Sequence, residues 1–377
     1  MPRKIRAGAA ARLICGPLQG AKPTSPPYAS CDSVYCGLAV RRYVDTNKQI
    51  IRSSFRSAGQ RRRLTLSPTS TAMSANLQHL HRPADTETHQ PRVLGPESFR
   101  YEPEFFQDIR ITPYSPAVGG IVEGFAIPAS GEVPEVVQRH LYRSLLKYGF
   151  LSFAPGSIAP GGFERFAHLF GSPRFAGNPQ APRAGGETNA IDSARKKTRT
   201  NYIWHIDQAY RERPQKFTAL YAHKAPGFGG GTVFSNATAA YRLIDPKFAD
   251  YLDTLTIIHN GDQMGLLSMS YPDPERLIEA RLQAPPLEVP LVRVHPETGD
   301  KQLFACELYA QRVLGVPRLV SDSLLNIVFE FLRSPEVCTE YRWQEGAALI
   351  WDNRIVQHRG VFNYGGQHRL LQRAVID

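Results

Sequence analysis

The chain has 377 residues, 42% of them hydrophobic and 21% charged, with a formal net charge of +11. A hydrophobic share of that size supplies one large core or two ordinary ones, which excludes a wholly disordered chain. Five cysteines (Cys15, Cys31, Cys36, Cys306 and Cys338) without a CxxC pair exclude a disulfide framework and a thiolate zinc pattern, and no apolar run is long enough for a bilayer-spanning helix.

The charge is concentrated at one end. Residues 1–72 hold 13 Lys/Arg against 2 Asp/Glu, which leaves 32 basic and 32 acidic residues for the remainder. The folded part is therefore balanced, and no nucleic-acid partner is expected for it. The arm, from "MPRKIRAGAAARLICG" to "FRSAGQRRRLTLSPTSTA", is rich in Arg and Ser and poor in acids. That composition fits an organelle transit peptide, a disordered basic tail, or a segment outside the working protein, because Met73 opens a stretch of different texture. The expected organisation is a basic, disordered arm over 1–95 and a folded domain over 96–377. The expected location is the cytoplasm, or the mitochondrion if residues 1–72 are a transit peptide.

Along the domain, "GGIVEGFAI" (119–127) reads as a strand or hairpin edge. Pro134 suits a first helical turn, and "EVVQRHLYRSLLKYG" carries its apolar residues mostly on one face and stops at Gly149, which predicts a helix. The strand "FLSF", the short helix "GGFERFAHLF" and the turn "GSP" follow; His140 and His168 belong to these helical patterns as core or surface residues. Residues 174–200 show no apolar periodicity, and a loop that long inside a domain is either functional or disordered. Its position ahead of residue 205 suits a lid, and Arg195, Lys196, Lys197 and Arg199 would attract an anion or simply face solvent. Strands are predicted over "KFTALYAHKA" and "GGGTVFSN", one helix over "ATAAYRLIDPKFADYLDTL", further strands within "LEVPLVRVHPETGDKQLFACELYAQRV", a helix over 322–333, and a strand-like run "GAALIWDNRIVQHRGVFNY". Short strands with Gly/Pro turns and peripheral helices suggest a mainly β sandwich or jelly roll. "GFGGG" (227–231) lacks the lysine of a phosphate loop and reads as a turn.

Within "NYIWHIDQAY" (201–210), a strand-like run, His205 and Asp207 are two apart and would share one face. A histidine and a carboxylate are two thirds of the triad that binds non-haem Fe(II); the plainer reading is a surface or satisfied polar pair. Of the eleven histidines, His358 has the most suggestive context, at the end of "AALIWDNRIVQH", and is the candidate third ligand. His295 and Glu297 form a second His-x-acid, but "PETGDK" looks like a hairpin turn; His79, His81 and His89 lie in a polar entry segment. In the last strand, "RLLQRAVI", Arg369, Leu371 and Arg373 share a face. Two inward guanidiniums need anions, from the protein's own acids or from a ligand.

From about residue 111 to 374, through "WHID", "APGFGGGTVFSNATAAY", "VRVHPETGDKQLF", "WQEGAALIWDNRIVQH" and "RLLQRAV", the chain resembles the taurine dioxygenase/2,4-dichlorophenoxyacetate dioxygenase family of Fe(II)- and 2-oxoglutarate-dependent oxygenases. The spacings agree too: 27 residues from His205 to Thr232, 11 from His358 to Arg369 and 15 from His358 to Arg373. The resemblance implies a double-stranded β-helix (jelly roll, cupin-like) with His205, Asp207 and His358 as Fe(2+) ligands. It also implies Thr232 and Arg369 on the distal carboxylate of 2-oxoglutarate, and Arg373 and Asn201 on the substrate. The implied activity is O2-dependent hydroxylation of a small, anionic molecule with release of succinate and CO2 by a homo-oligomer. A related halogenase would have a small residue in place of Asp207. One departure stands out: "FGSPRFAGNP" lacks the histidine that faces the sulfonate in taurine dioxygenase, which puts taurine itself in doubt. The rival readings are a non-catalytic binding protein on the same fold, a family member acting on a neutral substrate such as a purine, and a zinc hydrolase.

Overall fold

The computed structural model describes residues 102–127, 132–159, 161–174, 188–194, 200–265, 267–268 and 271–377. The expected arm over 1–95 lies outside the described residues, as do Arg195, Lys196, Lys197 and Arg199. Among the described residues, no helix is long and apolar enough to cross a membrane.

The strand Phe217–Lys224 is the centre of the larger sheet, flanked antiparallel by Ala348–Asp352 on one side and Leu370–Ile376 on the other. Beyond Ala348–Asp352 the order continues through Phe150–Phe153, Gly120–Glu123, Ile109–Pro113 and Glu104–Phe106, while Pro173–Arg174 and Thr188–Asp192 both pair with Leu370–Ile376. A smaller antiparallel sheet has Thr232–Asn236 between Cys338–Tyr341 and Val356–Gly360.

Strand alternation decides what each face meets. In Phe217–Lys224, Phe217 and Ala219 join a core with Leu141, Leu145 and Phe166 of the helices Glu135–Tyr148 and Phe163–His168. Leu220 and Ala222 point the other way, into a core shared with Phe234 and Val356 of the smaller sheet and with Trp351 and Leu371 of the larger. Thr218 belongs by the same alternation to this inner side, as do Thr232 and His358 from the facing sheet. A third core packs the helices Ala237–Arg242, Pro246–Asp253 and Arg318–Arg333 on the strand Thr256–His259.

Several expectations need correction. The run "GAALIWDNRIVQHRGVFNY" is two strands, Ala348–Asp352 and Val356–Gly360, in different sheets, because the turn after Asp352 swings the chain across. His358 is thus mid-strand in the smaller sheet. In "NYIWHIDQAY" only His205 makes a ladder contact, an isolated bridge to His358, and Gln208 takes a positive φ of 54° in the turn that follows. The helix expected over 237–255 is two, since Asp245 caps a new helix whose first residue is Pro246. The loop over 174–200 contains a strand, Thr188–Asp192, and the helix expected to start at 322 starts at Arg318. A surface helix with no buried residue, Pro274–Gln283, was not anticipated.

Candidate metal and cosubstrate site

His205 and His358 are joined by reciprocal backbone hydrogen bonds, His205 N to His358 O at 3.0 Å and His358 N to His205 O at 2.9 Å. This bridge sets the two imidazoles side by side, with ring centroids 4.2 Å apart. Asp207 follows within the turn, its Oδ1 3.8 Å from His205 Nε2. One donor atom from each of His205, Asp207 and His358 lies within 4.8 Å of the others, the one such cluster among the described residues.

The donor set suits a divalent metal. His205 Nδ1 lies 2.8 Å from the Ile203 carbonyl, which can only accept, so this nitrogen carries a proton and Nε2 is the nitrogen left to meet a metal. His358 Nδ1 is buried without a hydrogen-bond partner among the described residues. Burial, reinforced by His205 and Arg373, pushes the His358 imidazole down to about 3, so it is neutral at physiological pH. Burial alone would raise the Asp207 carboxyl. Arg373, the two imidazoles and the Thr218 hydroxyl outweigh that and hold it well below the usual carboxylate range. Two imidazoles and one carboxylate form the facial-triad donor set for Fe(II).

All seven residues expected from the sequence line one cavity: Asn201, His205, Asp207, Thr232, His358, Arg369 and Arg373. It holds about 480 Å³ of non-atom space, part of it open to solvent, and Ile191, Leu220, Phe362 and Leu371 supply its apolar walls. The two arginines differ. Arg369 has no carboxylate partner among the described residues, its Nε is buried without an acceptor, and burial lowers its guanidinium to about 10. Arg373 Nη2 lies 3.1 Å from Asp207 Oδ1, close enough for an ion pair though off the line of a hydrogen bond. Among the described residues, a carboxylate therefore meets Arg373 and none meets Arg369.

Neighbours that the sequence reading left without a role complete the site. The Trp343 indole donates to Thr232 Oγ1 at 3.1 Å and lies beside the Arg369 guanidinium, 5.9 Å from ring centroid to Cζ. Thr218 donates to Asp207 Oδ2 at 2.7 Å. Nothing local marks Thr218, since an inward threonine in an apolar strand looks like filler. His295 and Glu297, the second His-x-acid, sit apart from the site: His295 Nε2 is 3.3 Å from Asp352 Oδ2, and Glu297 pairs with Arg354.

The sequence model of one family, described as taurine catabolism dioxygenase TauD, TfdA family, matches residues 110–375. The chain belongs to this family. As a TauD/TfdA member it is 30% identical over 278 residues to an alkylsulfatase of Acinetobacter baylyi (strain ATCC 33305 / BD413 / ADP1), spanning 72% of this chain and 85% of that relative. It is 29% identical over 217 residues to an alpha-ketoglutarate-dependent sulfate ester dioxygenase of Pseudomonas putida, covering 56% of this chain and 71% of the relative. The crystal structure of a taurine dioxygenase from Burkholderia xenovorans matches with a TM-score of 0.59 at 22% identity, over 71% of this chain and 90% of that one, a likeness in fold.

Proposed function

We propose that this chain is an Fe(II)- and 2-oxoglutarate-dependent dioxygenase that hydroxylates a small anionic organic molecule of the sulfonate, sulfate ester or aryloxyalkanoate type, with release of succinate and CO2. The observation that carries the proposal is the convergence in one cavity of two imidazoles, one carboxylate and an arginine that has no carboxylate partner among the described residues. In this reading the two facing sheets form a double-stranded β-helix, and His205, Asp207 and His358 hold the iron. Bound iron supplies the oxidative chemistry, in which O2 is consumed as 2-oxoglutarate is decarboxylated and one oxygen atom enters the substrate.

The chain's own groups divide the remaining work. Arg369 binds the distal carboxylate of 2-oxoglutarate, which supplies the anion that its buried guanidinium lacks. Thr232 assists: an indole N–H can only donate, so Trp343 occupies a lone pair of Thr232 Oγ1 and leaves the hydroxyl proton for that carboxylate. Arg373, with donors beyond the nitrogen that faces Asp207, meets the anionic group of the substrate, and Asn201, which lines the same cavity, is assigned to the substrate with it. Ile191, Leu220 and Phe362 suit the apolar remainder of such a molecule and exclude water around it. The alkylsulfatase and sulfate ester dioxygenase relatives support the anionic choice.

The test is anaerobic addition of Fe(II) and then 2-oxoglutarate, followed by metal-to-ligand absorption. A succinate-release screen over sulfonates, sulfate esters, aryloxyacetates and purines comes next. Turnover that does not depend on 2-oxoglutarate would refute the assignment, and release driven best by a purine would remove the anionic substrate.

A further inference from the structure

The proton on Thr218 has one place to go. Asp207 Oδ2 lies 2.7 Å from Thr218 Oγ1, and an ionised carboxylate can only accept, so the hydroxyl hydrogen lies on that line. Gln215 Nε2 at 2.6 Å and Asn353 Nδ2 at 3.0 Å then donate to the same oxygen and fill its two lone pairs. The orientation of Asn353 is settled independently. Trp351 Nε1, a donor only, lies 2.9 Å from Asn353 Oδ1, which turns the amide nitrogen towards Thr218. Thr218, Gln215, Trp351 and Asn353 are all buried, so no solvent competes for these bonds.

The turn that carries Asn353 is braced from outside. The Asp352 carboxylate accepts from Arg354 N at 2.8 Å, Nε at 2.9 Å and Nη2 at 2.7 Å, and His295 of the hairpin Val292–Val294/Lys301–Leu303 abuts it. Asn353 N also donates to Lys216 O at 2.8 Å, tying the turn to the segment that holds Gln215 and Thr218. One oxygen of Asp207, Oδ2, is thus held by a protein hydrogen bond. The other, Oδ1, takes none among the described residues and faces His205 Nε2 at 3.8 Å and the Arg373 guanidinium at 3.1 Å.

We infer that Thr218, aimed by Asn353 and Gln215, is the positioning residue that makes Asp207 a one-oxygen metal ligand. The inference rests on the metal reading given above. A carboxylate that binds through both oxygens occupies two coordination positions. Tying Oδ2 back reserves one of them for the cosubstrate or O2, and it keeps the carboxylate from turning when the anionic groups of the ligands arrive.

Cobalt(II) binding tests this without turnover, in the full chain and in Thr218→Val, Thr218→Ser and Asn353→Ala. Dissociation constants and the visible d–d band are read for each, with circular dichroism and a metal-free melting curve as fold controls. Loss of an outer-shell partner typically weakens metal binding by about 10- to 100-fold. That loss, with an altered d–d band, is expected for Thr218→Val. Thr218→Ser should restore both, and Asn353→Ala, which frees the hydroxyl to rotate, should fall between. A merely structural threonine would lower the melting temperature and leave the d–d band of the parent. Parent affinity and band in folded Thr218→Val would overturn the inference; if that variant does not fold, parent behaviour in Asn353→Ala would do so. Failure of the parent chain to bind cobalt would instead remove the metal reading, and this inference with it.

Discussion

Replacement of Arg369 by alanine should separate ligand binding from folding. The guanidinium falls from its ordinary value to about 10 because burial disfavours its charge and no carboxylate of the described residues offsets this. At ~1.4 kcal/mol per pH unit, holding the cation there costs on the order of 3 to 4 kcal/mol, less where solvent reaches the side chain. A ligand carboxylate that offsets this cost and makes a charge-assisted bidentate contact should contribute about 2 to 4 kcal/mol, or about 30- to 1000-fold in affinity. Arg369→Ala should therefore weaken 2-oxoglutarate by that factor with every substrate, while the ligand-free chain melts no lower than the parent, because an uncompensated cation has been removed. Arg373→Ala should leave 2-oxoglutarate binding nearly intact, weaken an anionic substrate and uncouple succinate release from product. The assay is anaerobic titration of 2-oxoglutarate into the Fe(II) protein, followed by metal-to-ligand absorption, with melting curves in parallel. If Arg373→Ala proved the worse binder of 2-oxoglutarate, the two roles would be exchanged and the case for an anionic substrate would lose its main support.

Asp207→Ala should abolish turnover and lower metal stoichiometry, measured on dialysed protein, because it removes a ligand together with the charge that balances the cation. Full turnover in that variant would strike Asp207 from the ligand set. Stability of the metal-free chain should depend on acid through two buried histidines, His358 held to about 3 and His259 to about 4, both mainly by burial. Both values lie below the 6.5 of a free imidazole, so the unfolded chain takes up protons first. Stability is then full above about pH 6.5 and falls as the pH drops towards 4, by up to about 1.4 kcal/mol per pH unit for each histidine. Urea unfolding at pH 7.5, 6 and 5 checks this, and equal free energies at all three would contradict it. Asn236 accepts from Thr238 N and Ala239 N, both at 3.0 Å, and so caps the helix Ala237–Arg242. Asn236→Ala should cost about 1 to 2 kcal/mol in chemical unfolding and leave cobalt affinity unchanged.

The candidate site was legible in the sequence because its chemistry is carried by residue types at fixed spacings. His205 and Asp207 are two apart, Arg369 and Arg373 four apart across the start of the strand Leu370–Ile376, and each spacing survives whatever the rest of the chain does. Even where the local expectation failed, as in the strand drawn through "NYIWHIDQAY", the pair still converges, because a single bridge residue followed by a turn brings Asp207 back beside His205. Pairings decided between distant segments were not legible. Thr188–Asp192 becomes a strand only because Leu370–Ile376 offers it a free edge, and backbone hydrogen bonds leave no mark in side-chain periodicity. The break after Asp352 hid inside an apolar run whose two halves are buried in different sheets. Which oxygen of Asp207 is tied by a hydrogen bond could be known only from the fold. It depends on a threonine 11 positions away and an asparagine 135 positions beyond that threonine, brought within hydrogen-bond reach by strand register. Composition and spacing determined which groups this protein brings to its chemistry. Packing alone decided their orientation, because a hydrogen bond is directional and its direction is set by neighbours distant in sequence.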